Sequence, residues 1–481
     1  MLTRRVPLRV PPGVLSRVPS GALPGALSRV LPCVLALAAL VAALAGTVTG
    51  GGTLADRTPL YAWYALDAAL FALAVLLLRR VPDARVVPLV LAGALAVAAV
   101  GLLAPPRTSD DAYRYVWDGR VQAAGVSPYA YTPDDPALAR LRDQGLFPVG
   151  GDCAGWDERR TTAGDCTRIN RPAVHTVYPP VAEAWFLAVH PFGGGVRGVQ
   201  AAGALLAVAT TGALLVAGRG GWRAALWGWC PGVTVWSVND AHVDTLGALL
   251  MVVGLGLVAR QRVVGGGALL GASVATKLLP ALALPGVLSG LLARRPTARE
   301  LRRASAVVGS ALAAFAVAYV PYVARSGAGV LGYLPGYLRE EGYDRSHIDR
   351  FGLLRLVLPD ALTPWAAGLV LVAVVLWVLR RGDPARPWGG ALLVTGTALL
   401  LVAPGYPWYA LLVVALVALD GRWEWLAVPA AGQVLYLAGG SGVQQGAYGV
   451  ALACVLAGGL LRARRAVPKA AAPKARTTVL R

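Results

Sequence analysis

Lysine is almost missing from this chain: three in 481 residues, against 45 lysines and arginines together. Charged residues of all kinds make up only 15%, which excludes a highly charged, disordered or nucleic-acid-wrapping protein as the bulk of the chain. The four histidines and five cysteines form no paired Cys-x-x-Cys or His-x-x-x-His spacing, so a closed zinc site has no signature. A Gly-rich phosphate loop between a strand and a helix is absent too, which argues against a cytosolic nucleotide-sugar donor.

What is present is apolar surface in long runs. Hydrophobic residues are 56% of the chain, and they fall in stretches where a soluble helix would show a single stripe. A hydrocarbon core about 30 Å thick needs roughly 20 apolar residues per helix. Runs appear near 31–50, 60–78, 86–104, 196–217, 224–238, 241–259, 263–276, 278–293, 304–324, 364–380, 388–403, 407–419, 424–438 and 443–461. The expected fold is an all-α, polytopic transmembrane bundle of about 11–14 spans in the cell membrane. It would carry a large external loop with juxtamembrane helices.

The formal charge of +20 is placed as topology requires. Arginines cluster at 4–29, 79–85, 260–262, 294–303, 380–386 and 462–476, and threading the runs from a cytoplasmic N-terminus puts every cluster on the inner face. The stretch 105–177 then lies outside, with nine Arg against ten Asp and Glu. This asymmetry points to contact with membrane lipids and away from nucleic acid. The chain divides into a basic N-terminus (1–30), three spans (31–104), an external loop (105–195), a bundle (196–461) with a second external segment near 325–363, and a basic tail (462–481) that reads as disordered. The first run reads as a retained signal-anchor, the alternative being a cleaved leader. Cys153 and Cys166 both lie in the external loop, where a disulfide is expected; Cys33, Cys230 and Cys454 lie in apolar runs as packing residues.

The loop opens with "SDDAYRYVWDGRVQAAGVSPY" (109–129). Ser109 can cap a helix, Asp110 and Asp111 favour its first turn, and Gly125 with Pro128 stops it. Helical spacing aligns Asp111, Arg114, Tyr115, Asp118 and Gln122 on one side, leaving the other side for the membrane interface. The alternative is that Asp110 and Asp111 only cap the helix and Asp118 only pairs with Arg114. "HTVYPPVAEAWFLAVHPF" (175–192) reads as a short interfacial helix.

Lys277 is the one lysine outside the tail and sits between two apolar runs, so it marks a functional site unless it merely snorkels. "NDAHVD" places Asn239, Asp240, His242 and Asp244 at the outer end between two runs. Such residues can ligate a cation, but hydrogen bonding to a polar ligand is the favoured reading; no cofactor is called for, with a divalent cation as the one candidate. The aromatics of "APGYPWYALL" (403–412) suit either an interfacial belt or stacking on a sugar ring.

Taken in order, "DDAYRYVWDGRVQAAGVSPY", "YPPVAEAWF", "NDAHVD", "ATKLLPALALP" and "PGYPWY" resemble the glycosyltransferase C superfamily, in particular actinobacterial polyprenol-phosphate-mannose-dependent mannosyltransferases. The resemblance covers roughly 105–420. It implies a multi-span enzyme that takes sugar from a polyprenyl-phosphate donor and gives it to a glycan or glycolipid acceptor. Asp111, with Asp110 beside it, matches the acidic catalytic position. Lys277, Arg114, Tyr115, Asp118, Asp240, His242, Asp244 and Tyr178 are the candidate substrate contacts. The chain departs from the family in the spans that precede the first motif and in having no large soluble C-terminal domain. A transporter or flippase of lipid-linked sugars is the competing expectation; it calls for charges near the midplane and repeat symmetry.

Overall fold

The computed structural model describes residues 22–218, 220–343 and 350–466. Most of the basic N-terminus and the tail beyond 466 lie outside the described residues. The fold is all-α and polytopic, with one minimal strand pair, Arg159–Arg160 against Cys166–Thr167 in the loop. Ser28–Gly50, Thr58–Leu78, Asp83–Gly101, Val196–Ala217, Ala298–Glu341, Asp360–Arg381 and Ser441–Arg464 are long and apolar enough to cross a membrane. Their outward side chains include Leu205, Leu312 and Leu369 at 66%, 64% and 72% exposure, which only a bilayer would cover at low cost.

The expected 11–14 spans do not appear as continuous helices. Among the described residues seven do, or eight when the bent pair Val233–Asn239 and Asp244–Ala259 counts as one. Val263–Val274, Pro387–Val402 and Pro407–Asp420 are shorter apolar helices. The reason is local. Asn239–Asp244 turns the chain by 111°, Pro280 and Pro285 break the run after Lys277, and Pro404 and Pro407 end one helix and start another.

These short helices join the same two ends of the bundle. Leu411–Asp420 is buried at all ten positions, a central helix that others surround. Its far end is Asp420, which accepts from Arg386 (3.2 Å) and Arg422 and whose carbonyl accepts from Arg223 (3.1 Å). The sequence places all three arginines on the inner face. At the other end, Lys277, Trp408 and Tyr409 face a cavity below the loop. Helix starts follow local chemistry as well: Thr297 and Glu300 form a reciprocal capping box at the head of Ala298–Ser326.

Asp67 lies midway along Thr58–Leu78, buried, with one carboxylate oxygen accepting from Thr47 (2.7 Å) and the other without a partner. The bundle therefore holds an acidic group at mid-depth that the sequence reading passed over.

Single cysteines introduced at 144–151 should react with an impermeant maleimide in intact cells, and those at 294–303 only after permeabilisation. The reverse pattern would invert the assigned faces.

Candidate active site

Two helices and a loop build the outer end. α1 (Ala22–Gly50), α2 (Thr58–Leu78) and α3 (Asp83–Gly101) lead to α4 (Asp111–Ala123); α5 (Pro180–Val189) packs across α4, and α6 (Val196–Ala217) follows. The close crossing depends on Gly119, where a Cβ would sit 2.5 Å from the Phe186 carbonyl oxygen. Tyr115 stacks on Phe186 with ring centroids 4.4 Å apart. α4 is buried on all sides, Trp117 included, because the loop folds over it and Phe147 meets Trp117. The expected interfacial face of α4 is thus covered by protein. Cys153 and Cys166 are joined as a disulfide within that loop.

Asp111 lies at the first turn of α4, on the wall of a cavity of about 620 Å³. Asn170 donates to its Oδ1 at 2.5 Å, and His242 Nδ1 lies 3.4 Å from its Oδ2, close but without the alignment of a hydrogen bond. Burial pushes the carboxyl up, but the His242 contact and the charges of Lys277 and Arg171 outweigh it and hold the group at about 2. Asp110 points to Arg159 (2.6 Å) and Asn170 (3.1 Å), and burial beside Asp111 raises its carboxyl.

The remaining expected contacts divide into two groups. Arg114, Tyr178 and Lys277 line the cavity with Asp110 and Asp111. Tyr115, Asp118, Asp240, His242 and Asp244 do not line it, each for a visible reason. Tyr115 is locked between Phe186 and Tyr178. Asp118 accepts from Arg114 Nε with both oxygens at 3.0 Å, the helix-internal pair that was the alternative reading. Asp240 accepts from the backbone N–H groups of Arg107 (3.2 Å) and Thr108 (3.1 Å) and from the Thr108 hydroxyl (2.5 Å). With Asn239, whose amide donates to the carbonyls of Gly101, Ala104 and Pro105, it clamps the chain entering α4. His242 is fully buried and stacks on Trp408 at 3.9 Å. Asp244 accepts from Lys277 Nζ at 2.7 Å, and that ammonium also lies 4.4 Å from the Tyr409 ring centroid. Lys277 is therefore an ion-paired wall residue, not a snorkelling anchor.

Among the described residues no three His, Cys, Asp or Glu side chains gather to hold a metal, so the divalent-cation candidate has no ligand set there. Asp110 and Asp111 are both taken up by Asn170, and Asn239 and Asp240 are occupied by backbone.

Several wall residues escaped the sequence reading. Asn170 and Arg171 come from "TRINRP", a stretch read only as loop. Arg171 is held at φ +46°, costing about 1–2 kcal/mol for a residue with a Cβ. Its Nε donates to Glu340 (2.8 Å) and its guanidinium lies 5.7 Å from the Tyr337 ring centroid. The second outer segment reaches this wall because Gly332, at φ +52°, passes Thr176 where a Cβ would be 1.9 Å from its carbonyl oxygen. Tyr333 N–H then donates to that oxygen at 3.1 Å. The other flank of the cavity is apolar, with Leu278, Leu279, Leu282, Leu334 and Leu338.

No protein-family model, curated protein or solved structure matches this chain.

The Asp111 environment makes a direct prediction. Because its folded value lies below the ordinary 3.8, its ionised form stabilises the fold above that value, and the contribution is lost as pH falls towards about 2. Replacing His242 by Gln removes the first lowering influence, so the Asp111 carboxyl should titrate higher. The difference infrared signal between protein with Asp111 and its Asn variant, followed against pH in both backgrounds, measures this. An unmoved titration would remove His242 as the group that holds Asp111 ionised.

Proposed function

We propose that this protein is a membrane glycosyltransferase. It moves a hexose, with mannose the first candidate, from a polyprenyl-phosphate donor to a glycan or glycolipid acceptor at the outer face of the cell membrane. One observation carries the reading: a cavity at the end of a transmembrane bundle has on its walls an ionised carboxylate, several cations with Arg171 and Lys277 among them, and leucine side chains. A donor that is half lipid and half sugar phosphate calls for all of these together.

The chemistry follows from the groups present. Asp111 accepts the proton of the acceptor hydroxyl as its oxygen bonds to the anomeric carbon. The bond from that carbon to the phosphate oxygen breaks, and the electron pair leaves with polyprenyl phosphate. Arg171 and Lys277 stabilise the departing phosphate, since both lie on the cavity wall. Attack opposite the leaving group inverts the anomeric centre. A carboxyl held near 2 is by itself a weak base. An anionic donor seated against Arg171 and Lys277 draws their field onto itself, and the basicity of Asp111 rises when substrate is present. His242 and Asn170 act through Asp111 as positioning residues, and Asp240 acts by fixing the entry to α4.

The transporter reading gains one point from Asp67 at mid-depth. That carboxylate bonds Thr47 of the adjacent helix, however, and is not on the cavity wall, so it ties α1 to α2 without marking a path.

Asp111→Asn should lower transfer by about 10²–10⁴-fold while membrane insertion is kept, because an amide cannot take the hydroxyl proton. The assay uses purified protein with radiolabelled polyprenyl-phosphate hexoses. Full activity in this variant would return Asp111 to a capping role. Lys277→Met and Arg171→Met should each raise the donor KM by about tenfold or more, with Lys277→Arg retaining part of donor use. An unchanged donor dependence in either Met variant would remove that cation from the phosphate site.

A further inference from the structure

Among the described residues, two that line the cavity each carry a buried polar atom with no partner. Arg114 directs Nε to both oxygens of Asp118 and Nη1 to the Val174 carbonyl (3.2 Å), which leaves Nη2 buried and unbonded. The side chain is only 4% exposed. His175, the next residue after Val174, has Nδ1 buried and unbonded as well. Both residues line the cavity that holds Asp111. Buried donors and acceptors are normally satisfied, so an unsatisfied pair on a cavity wall points to an occupant of that cavity.

The chemistry of the pair selects the occupant. Arg114 is already balanced by Asp118. Beyond it lies Glu183, whose carboxyl is pushed well above its ordinary value by burial and by the Asp118 charge. With Arg114 neutralised by Asp118, its free Nη2 suits a neutral oxygen, while the donor phosphate is assigned to Arg171 and Lys277. Guanidinium only donates, whereas imidazole nitrogen takes either role, and a hydroxyl both donates and accepts. Arg114 follows Asp111 by three helical positions, which sets their side chains about 5–6 Å apart at Cβ, within the span of one pyranose ring.

We propose that Arg114 Nη2 and His175 Nδ1 form a hydroxyl-reading subsite that holds a ring hydroxyl of a hexose while Asp111 engages the reacting centre. This rests on the glycosyl-transfer reading and sharpens it. Because the two sugars of a transfer meet at Asp111, the ring read here belongs either to the donor or to the acceptor. If it is the acceptor, substrates with a single hydroxyl are excluded.

The test begins with binding alone. The full chain, purified in detergent, is titrated with methyl mannopyranoside and its monodeoxy analogues by saturation-transfer NMR. Wild type should bind one analogue about tenfold more weakly than the parent, the worth of one hydrogen bond to a charged group. His175→Ala should lower the parent to the level of that analogue and leave the analogue unchanged, while His175→Asn should keep part of the discrimination. Arg114 itself is left intact because its loss would strand Asp118. Equal binding of all analogues by wild type, or no binding of any, would mean that water alone satisfies the two atoms and would overturn the subsite. So would an unchanged parent-to-analogue ratio in His175→Ala. Transfer assays then assign the source: discrimination lost in a deoxy-donor series names the donor sugar, and discrimination lost in a deoxy-acceptor series names the acceptor. His175-dependent binding without any transfer would keep the subsite and remove the transferase reading.

Discussion

A carboxylate at the end of an apolar bundle has to be neutralised by groups within its reach, and the outer half of this protein is arranged around that demand. Asp111 takes its hydrogen bond from the loop through Asn170 and a close contact from the bent helix pair through His242. The fields of Arg171, next to Asn170 in that loop, and of Lys277 add to these. Three separate parts of the chain thus converge on one first-turn residue of α4, and each is in turn held elsewhere. Lys277 is anchored by Asp244, Arg171 by Glu340, and the start of α4 by Asn239 and Asp240. Moving any of these would leave a buried charge with incomplete compensation, which costs several kcal/mol in a low-dielectric setting, roughly 3–5 for a broken buried pair.

The broken helices are the second part of this arrangement. Backbone that leaves helical geometry at membrane depth must find its hydrogen bonds inside the protein, so breaks are tolerated where they face a cavity or other polar groups. The Asn239–Asp244 turn, the bend after Lys277 and the Pro404–Pro407 connection each follow this rule, and each delivers side chains to the Asp111 end. Breaking the spans and assembling the site are the same structural event. At the opposite end Asp420 serves the reverse purpose: three arginines close on it and leave a plugged terminus.

Behind the cavity lies a second buried acid group whose role is internal. Asp118 takes Arg114, while Glu183 accepts from Thr176 (2.7 Å) and from Gln122 (2.9 Å), whose side-chain oxygen accepts from Tyr322 (2.9 Å). This network ties α4, α5 and the long helix Ala298–Ser326 together. It also explains why only one arm of Arg114 is left for the cavity.

Composition and periodicity were sufficient for the fold class, because a run of apolar residues long enough to cross a membrane carries its own fate in its length. The α4 helix, its stop at Gly125, Asp111 in its first turn and the odd placement of Lys277 were legible for similar reasons: each is a local feature of residue type and spacing. The expected cap was not, since Asp110 and not Ser109 holds the N-cap position and its side chain makes no capping hydrogen bond. Partnership was not legible. Whether Asp240 faces a ligand or clamps backbone, whether Lys277 snorkels or pairs with Asp244, and whether Trp117 meets lipid or Phe147 depend on residues between 30 and 133 positions away, brought together only by packing. Asn170 and Arg171 lay in a loop whose sequence shows no periodicity, so nothing local marked them, and His175 opens a stretch whose pattern spoke only for an interfacial helix. Span number failed for the same cause, since an apolar run records the solvent a segment prefers while its neighbours decide where the helix bends and stops.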